Sequence, residues 1–392
     1  MKNLSVKLQD KLKIRKTNNA LRKLNTQNNL TDFSSNDYLG FSKFQVIFDN
    51  THQYLIDNNL TQNGSTGSRL LSGNHELYNT VETMLCEFHN SEAALIFNSG
   101  YDANVGFFSS VPQRGDIILY DEYIHASIRD GIKISNAKAY KFKHNDLDNL
   151  DKMLKRTSTG SVPVKHDEEV YIVTESVFSM DGDTPDLVLI SEICKNHNAH
   201  LIIDEAHALG VFGENGLGLI QGLGIENAVF ARLFTFGKGL GCHGAAILGS
   251  NILKQYLVNF ARSFIYTTAL PPHSLATIKK AYEQLVISNK SEKSHFAIQQ
   301  LNENILFFKS KIEDLNLQHY FIKSESAIHC CIISGNKKVK SIANQFKDKG
   351  FDVKSILSPT VPKGRERLRF CLHSYNSETE ISKVLELLAT FV

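Results

Sequence analysis

Between residues 93 and 250, short apolar runs alternate with segments of helical periodicity. AALIF (93–97), DIILY (116–120), VYIVTE (170–175), HLIID (200–204) and FARLFTF (230–236) are largely apolar on both faces of an extended chain. Strands of that kind belong to a mainly parallel sheet covered by helices. Helical patterns at 146–157 and 186–197, the second opened by Pro185-Asp186, fit between them. The pattern predicts an α/β core.

Outside this region the pattern changes. FIYTT (264–268) reads as a strand, and Pro271 and Pro272 open a helical region that runs to about 315. IHCCIIS (328–334), a helix near 337–348, RLRFCL (367–372) and a last helix from 377 then make an α+β pattern. At the other end, Leu4, Val6, Leu8, Leu12 and Ile14 are separated by polar residues and read as an amphipathic helix. The expected organisation is an N-terminal helical segment (1–45), a large α/β domain (46–272) and a small C-terminal α+β domain (273–392).

Charge narrows the function classes. The 392 residues hold 43 Lys+Arg against 41 Asp+Glu, a net +2, which excludes the cationic footprint of a nucleic-acid protein. With 42% hydrophobic and 21% charged residues, the chain is far from a disordered composition. One asymmetry stands out: residues 1–23 carry eight Lys and Arg against Asp10 alone. The apolar residues there are too broken up for a secretory signal, and a mitochondrial presequence is the remaining targeting alternative. No run reaches the ~18–20 apolar residues of a membrane span, so a soluble cytoplasmic protein is expected. Six cysteines show neither CxxC nor zinc spacing, so free thiols and no metal are expected.

Several stretches carry candidate chemistry, each with a plainer alternative. In HLIIDEAHALG (200–210) a buried strand ends on Asp204, with His207 three residues on. Ligands of open α/β sheets collect at such strand ends, although an Asp there can also cap the next helix. A metal reading through His200, Asp204 and His207 lacks a fourth ligand. In LFTFGKGLGCHGAAILGS (233–250) Lys238 follows an apolar strand between two glycines. It could be an ordinary turn residue, or a desolvated lysine serving as a Schiff-base nucleophile, with glycines that let a bulky cofactor approach. Gly239, Gly241 and Gly244 match GxGxxG, but the next residues look like a strand, and no acid follows before Glu283, so the dinucleotide reading is rejected.

ALIFNSGYDANVGFF (94–108) passes from strand to helix at Asn98-Ser99-Gly100-Tyr101, where helix amides could bind phosphate. NGSTGSRLLSGNHELY (63–78) is a second Gly/Ser-rich loop that could shape a pocket. His125, in DEYIHASIRDG (121–131), is as a lone histidine more often structural. Arg367 and Arg369 alternate along a strand and share a face, suiting a carboxylate or merely a solvated edge.

Taken in order, FSSNDYLG (33–40), GSRLLSGN (67–74), NSGYDAN (98–104), DEYIHAS (121–127), TESVFSMDGD (174–183), DEAHALG (204–210), TFGKGLG (235–241) and SPTVPKGRERLR (358–369) resemble the α-oxoamine synthases. These are pyridoxal phosphate (PLP) enzymes of transferase fold type I, like aspartate aminotransferase. The resemblance covers residue 30 to the C-terminus. It implies a mainly parallel large-domain sheet, a smaller α+β domain and a homodimer with shared active sites.

By that resemblance, Lys238 is the Schiff-base lysine and Asp204 the partner of the pyridine nitrogen. His125 stacks on the ring, and His207 and Ser179 hydrogen-bond its 3-oxygen. Ser99, Gly100, Tyr101 and Thr235 hold the phosphate, joined by Thr267 or Thr268 of the neighbouring subunit. Asn36 and Arg369 bind the substrate carboxylate. The implied reaction is a decarboxylative Claisen condensation between an amino acid and an acyl thioester carried by CoA or a carrier protein. GSRLLSGN and SPTVPKG are characteristic of the branch that joins L-alanine to a pimeloyl thioester in biotin synthesis. Thr66, where glycine is frequent, and Tyr78, where histidine is frequent, depart from it. Other branches, which use glycine or serine, an ordinary aminotransferase and a non-catalytic homologue are the alternatives.

Overall fold

A computed structural model of the chain describes residues 4–22, 24, 29–158, 168–287 and 295–392. The chain forms two compact units, one of Asn36–Ser179 and Thr184–Gln299, the other of Met1–Ser35, Met180–Asp183 and Gln300–Val392.

The larger unit is built on a seven-stranded sheet. Its order is Ala93–Phe97, Ala245–Gly249, Ala231–Thr235, His200–Asp204, Val170–Glu175, Ile117–Asp121 and Lys138–Phe142. Ala245–Gly249 runs antiparallel to both neighbours, and the other adjacent pairs are parallel. The apolar runs form this sheet because both faces are covered. Val173, Ile202 and Leu233 pack under helices Gly100–Ser110 and Ala126–Ile134 on one side, while Ile172, Leu201 and Ile203 face Leu150, Leu187 and Ile190 on the other. Four parallel strands end on Asp121, Glu175, Asp204 and Thr235, so polar groups gather along one edge.

The DIILY strand begins one residue later than its sequence pattern, and Lys138–Phe142, which is mostly exposed, has no apolar run to announce it. FIYTT is not a strand: Arg262–Ile265 is a short helix whose Phe264 is buried against Phe97. An apolar run that short fits either state, and packing decides between them. Gly239, Gly241 and Gly244 lead into the strand Ala245–Gly249, not into a helix.

The expected long helical region contains Pro272–Ile287 and His295–Asp314, with 288–294 outside the described residues. Pro272–Ile287 packs on helices Gln45–Asp57 and Glu76–Phe88, which draws it into the larger unit. The division by contacts therefore falls at Gln299/Gln300, whereas the sequence pattern places it at 272/273.

The smaller unit holds a three-stranded antiparallel sheet in the order Lys354–Ile356, Arg367–Cys371, Ile328–Ile332. Thr31–Asp32 pairs with Phe351–Asp352, tying the N-terminal residues to this unit. Arg367 is fully buried and donates to Asp181 Oδ1 at 2.5 Å, which fixes the Met180–Asp183 segment there. The last helix, Glu378–Phe391, opens with a capping box between Ser377 and Glu380.

Helix Val6–Thr17 forms as expected, but none of its residues is buried. Leu8 and Leu12 share one face while Val6 and Ile14 point elsewhere, so its amphipathic character is weak. Among the described residues no helix is long and apolar enough to cross a membrane. All six cysteines are free thiols.

Candidate active site

The site candidates of the larger unit lie where its strands end. Asp204 is buried, with Oδ1 accepting from the Ala206 amide at 2.9 Å and Oδ2 from the Asn104 side chain at 2.9 Å. No helix follows this strand end, so Asp204 holds a turn where a helix cap was the plainer expectation, and it is a buried acceptor as well. His200 sits at the opposite end of the same strand, half-exposed and 3.1 Å from Glu169, so it cannot join Asp204 and His207 around a metal. Among the described residues no group of three or more His, Cys, Asp or Glu could hold a metal ion.

Lys238 follows the strand Ala231–Thr235, and its Nζ lies 2.8 Å from His207 Nε2. The His207 Nδ1 lies 2.7 Å from the buried Tyr38 hydroxyl, which in turn donates to Asn36 Oδ1 at 3.1 Å. Because the phenolic proton is committed to Asn36, the oxygen accepts from Nδ1–H, and Nε2 is left to accept from the lysine. The glycines after Lys238 allow chain to pack on chain. A Cβ on Gly239 would come within 2.4 Å of the Leu209 carbonyl, and Gly241 adopts φ +60° with a Cβ position 2.1 Å from the Ser42 amide. Of the two glycines that flank Lys238, Gly239 has its space taken by the protein itself, contrary to the expectation that it admits a cofactor, while a Cβ on Gly237 would meet only the Cys242 carbonyl, at 3.3 Å.

The helix Gly100–Ser110 begins where the strand Ala93–Phe97 ends. Ser99 caps it: its hydroxyl accepts from the Asp102 amide, and its carbonyl from the Ala103 amide. That leaves the Gly100 and Tyr101 amides pointing out of the first turn, where the helix dipole favours an anion. Thr235 stands against this end, since a Cβ on Gly100 would lie 2.4 Å from its hydroxyl. Asn98 donates to Thr267 Oγ1 at 3.0 Å and to the Thr268 carbonyl at 2.6 Å, so both threonines lie beside the same helix start within one chain. Tyr101 is half exposed and donates to Asp130 at 2.7 Å.

His125 caps the helix Ala126–Ile134 through Nδ1, which supports the structural reading of this residue without excluding a second role. Partial burial, offset by Asp204 and reinforced by the Lys238 cation, holds its pKa below the usual imidazole value. Ser179 lies just beyond the end of the strand Val170–Glu175. Arg369 belongs to the smaller unit, where it is buried on its strand opposite Cys330 and Lys354. Sequence reasoning assigned no role to Tyr38, Asn104, Ser127 or Glu175, although all four lie inside the motifs FSSNDYLG, NSGYDAN, DEYIHAS and TESVFSMDGD.

A phosphate-seeking helix end, a lysine amine beside an imidazole, and a buried carboxylate at the next strand end form a donor set that fits pyridoxal phosphate. The chain belongs to the aminotransferase class I and II family, whose model matches residues 28–388, and pyridoxal phosphate is its cofactor. Within that class it is similar to an 8-amino-7-oxononanoate synthase of Emericella nidulans, with 40% identity covering 92% of this chain and 89% of the relative. It is 36% identical to the enzyme of that name from Marinobacter nauticus, over 92% of this chain and 86% of the relative. Among solved structures, the 8-amino-7-oxononanoate synthase of Francisella tularensis superposes with TM-score 0.75 at 29% identity, covering 92% of this chain and 97% of that one. A Sphingomonas wittichii serine palmitoyltransferase reaches TM-score 0.82 at 27% identity, covering 92% and 86%. The chain is a PLP-dependent acyltransferase with the α/β fold the sequence implied.

Proposed function

We propose that the chain condenses L-alanine with a pimeloyl thioester to give 8-amino-7-oxononanoate, as its relatives' names describe, in biotin synthesis. In the reaction the alanine Cα bonds to the acyl carbon, the C–S bond breaks to release CoA or carrier-protein thiol, and the alanine carboxylate leaves as CO2. The observation that carries this reading is the 2.8 Å approach of Lys238 Nζ to His207 at the strand-end edge that Asp204 shares. It is joined to the 40% identity with the fungal synthase.

When bound, pyridoxal phosphate supplies an electrophilic carbonyl for the substrate amine and a sink for the carbanion's electrons. Asp204, a buried acceptor, pairs with the protonated ring nitrogen. Gly100 and Tyr101 amides, with Ser99 and Thr235 hydroxyls, would bind the phosphate; Thr267 and Thr268 lie beside that helix start in their own chain, and in a homodimer one of them would also serve the neighbouring subunit's phosphate. His125 would pack against the cofactor's ring, and His207 and Ser179 would offer it hydrogen bonds. Lys238 would take the substrate α-proton onto Nζ. Asn36 and Arg369 supply an amide and a guanidinium for the amino-acid carboxylate. We assign the enzyme to the cytoplasm.

Incubating the holoenzyme with alanine and pimeloyl-CoA should release CoA and CO2 in equal amounts. An aminotransferase would instead yield a keto acid without either product. The serine palmitoyltransferase likeness sustains a second reading, so serine and glycine with longer and shorter thioesters belong in the same panel. A preference for serine with palmitoyl-CoA would replace the alanine reading.

A further inference from the structure

Asp204 and His125 are joined by two buried side chains outside the family assignments made above. Asn104 lies on helix Gly100–Ser110, and its Nδ2 donates to Asp204 Oδ2 at 2.9 Å and to Ser127 Oγ at 3.1 Å. The carboxylate accepts only, so the amide must turn its NH2 toward it, and that choice places the second N–H on the serine oxygen. Ser127 Oγ lies 2.7 Å from His125 Nδ1, and the Ser127 amide donates to the same nitrogen at 3.3 Å. An oxygen already accepting from Asn104 gives its own proton to Nδ1. Two donors on Nδ1 leave it unprotonated, so the ring hydrogen is on Nε2.

We infer that Asn104 and Ser127 are positioning residues, a fixed chain of donors from His125 to Asp204 that holds His125 as the Nε2–H tautomer. The function assigned to His125 rests on the condensation reading above; the tautomer itself does not.

The surroundings make the chain directional. Asn104 and Ser127 are both nearly inaccessible, so neither can exchange its partner for water. Glu175 is in register with Asp204 on the neighbouring parallel strand and is also buried. Burial first, and the Asp204 charge second, push its pKa well up. Lys238 and Asp130 are the other charges that act on His125. The consequence for chemistry is a ring that offers a fixed Nε2–H donor on its free side, rather than an average of donor and acceptor.

The test begins on the cofactor-free protein. Nitrogen-15 NMR of histidine-labelled protein, with the His125 signal assigned by its absence in His125→Gln, should show Nδ1 unprotonated and Nε2 protonated at pH 7. Ser127→Ala should move both nitrogens toward exchange-averaged shifts, and Ser127→Thr, which keeps the hydroxyl, should restore the wild-type pattern. On the loaded enzyme, Asn104→Leu should lower kcat about tenfold, a part of the roughly 10²-fold that misplacing a positioned group costs, with the alanine KM unchanged. A wild-type Nδ1–H signal, or an unchanged pattern in folded Ser127→Ala, would overturn the inference even if the condensation is confirmed. Loss of the condensation reading alone would leave the NMR result standing.

Discussion

The Tyr38 hydroxyl lies 2.7 Å from His207 Nδ1, joining side chains 169 residues apart in sequence. Tyr38 is fully buried, so no water can replace it. Tyr38→Phe removes this oxygen from His207 Nδ1 and loosens the hold on the ring beside Lys238. Loss of such a buried bond costs about 1–3 kcal/mol. A fall in melting temperature together with a lower kcat is expected. A variant with wild-type kcat would remove Tyr38 from the alignment of His207.

Lys238→Ala should abolish turnover and the borohydride-fixed cofactor label at residue 238. The check is peptide mass analysis after reduction. A label of undiminished yield on another lysine in the variant would contradict the assignment of Lys238.

Glu82 anchors the glycine-rich loop. Its buried carboxylate meets Arg69 at 2.5 Å and Lys254 at 2.8 Å, and accepts from the Ile96 amide at 3.0 Å. Arg69 also lies over the Tyr78 ring at 3.8 Å, and the Tyr78 hydroxyl accepts from the Leu270 amide. Glu82→Gln strands two cations, and breaking a buried pair from one side costs about 3–5 kcal/mol. Chemical denaturation should show a loss of that order, and a change under 1 kcal/mol would refute the anchoring role.

Glu205 gives a pH dependence with a defined sign. Burial lifts its pKa from 4.5 to about 7, only partly offset by the Ile220 amide, the nearby Arg232 and the Leu219 amide. The folded state therefore holds a proton that the unfolded state releases between those values, so this group's contribution to stability falls as pH rises from 4.5 to 7. The full effect is about 3 kcal/mol. Glu205→Gln keeps an oxygen for the Leu219 and Ile220 amides and should flatten that part of the melting profile, with its gain largest above pH 7. Identical profiles for the two proteins would count against the shift.

In the smaller unit, a cavity of about 1120 Å³ is lined by Lys11 and Arg15 of the N-terminal helix and by Lys363. Three cations there suit an anionic thioester. Replacing all three by alanine should raise the thioester KM about tenfold, each exposed charge being worth about 0.2–1 kcal/mol, and should leave the alanine KM unchanged. An unaltered thioester KM would place the acyl donor elsewhere.

The sheet was legible because a strand buried on both faces must be a short apolar run, and five such runs stand in the sequence. Lys138–Phe142 was not, since its exposed Lys138, Tyr140 and Lys141 hide the signal. FIYTT was misread because a run of three apolar residues does not separate strand from helix. The motifs singled out Lys238, Asp204, His125 and His207 as candidates by residue type and order, and they pointed to the cofactor that the family match shows. What the sequence alone could not decide is which nitrogen of each histidine carries its proton. That depends on Tyr38 reaching His207 and on Ser127 and Asn104 reaching His125 and Asp204, contacts set by how helices and loops settle on the sheet edge. Hydrogen-bond direction is a property of neighbours in space, so only the tertiary structure decided it.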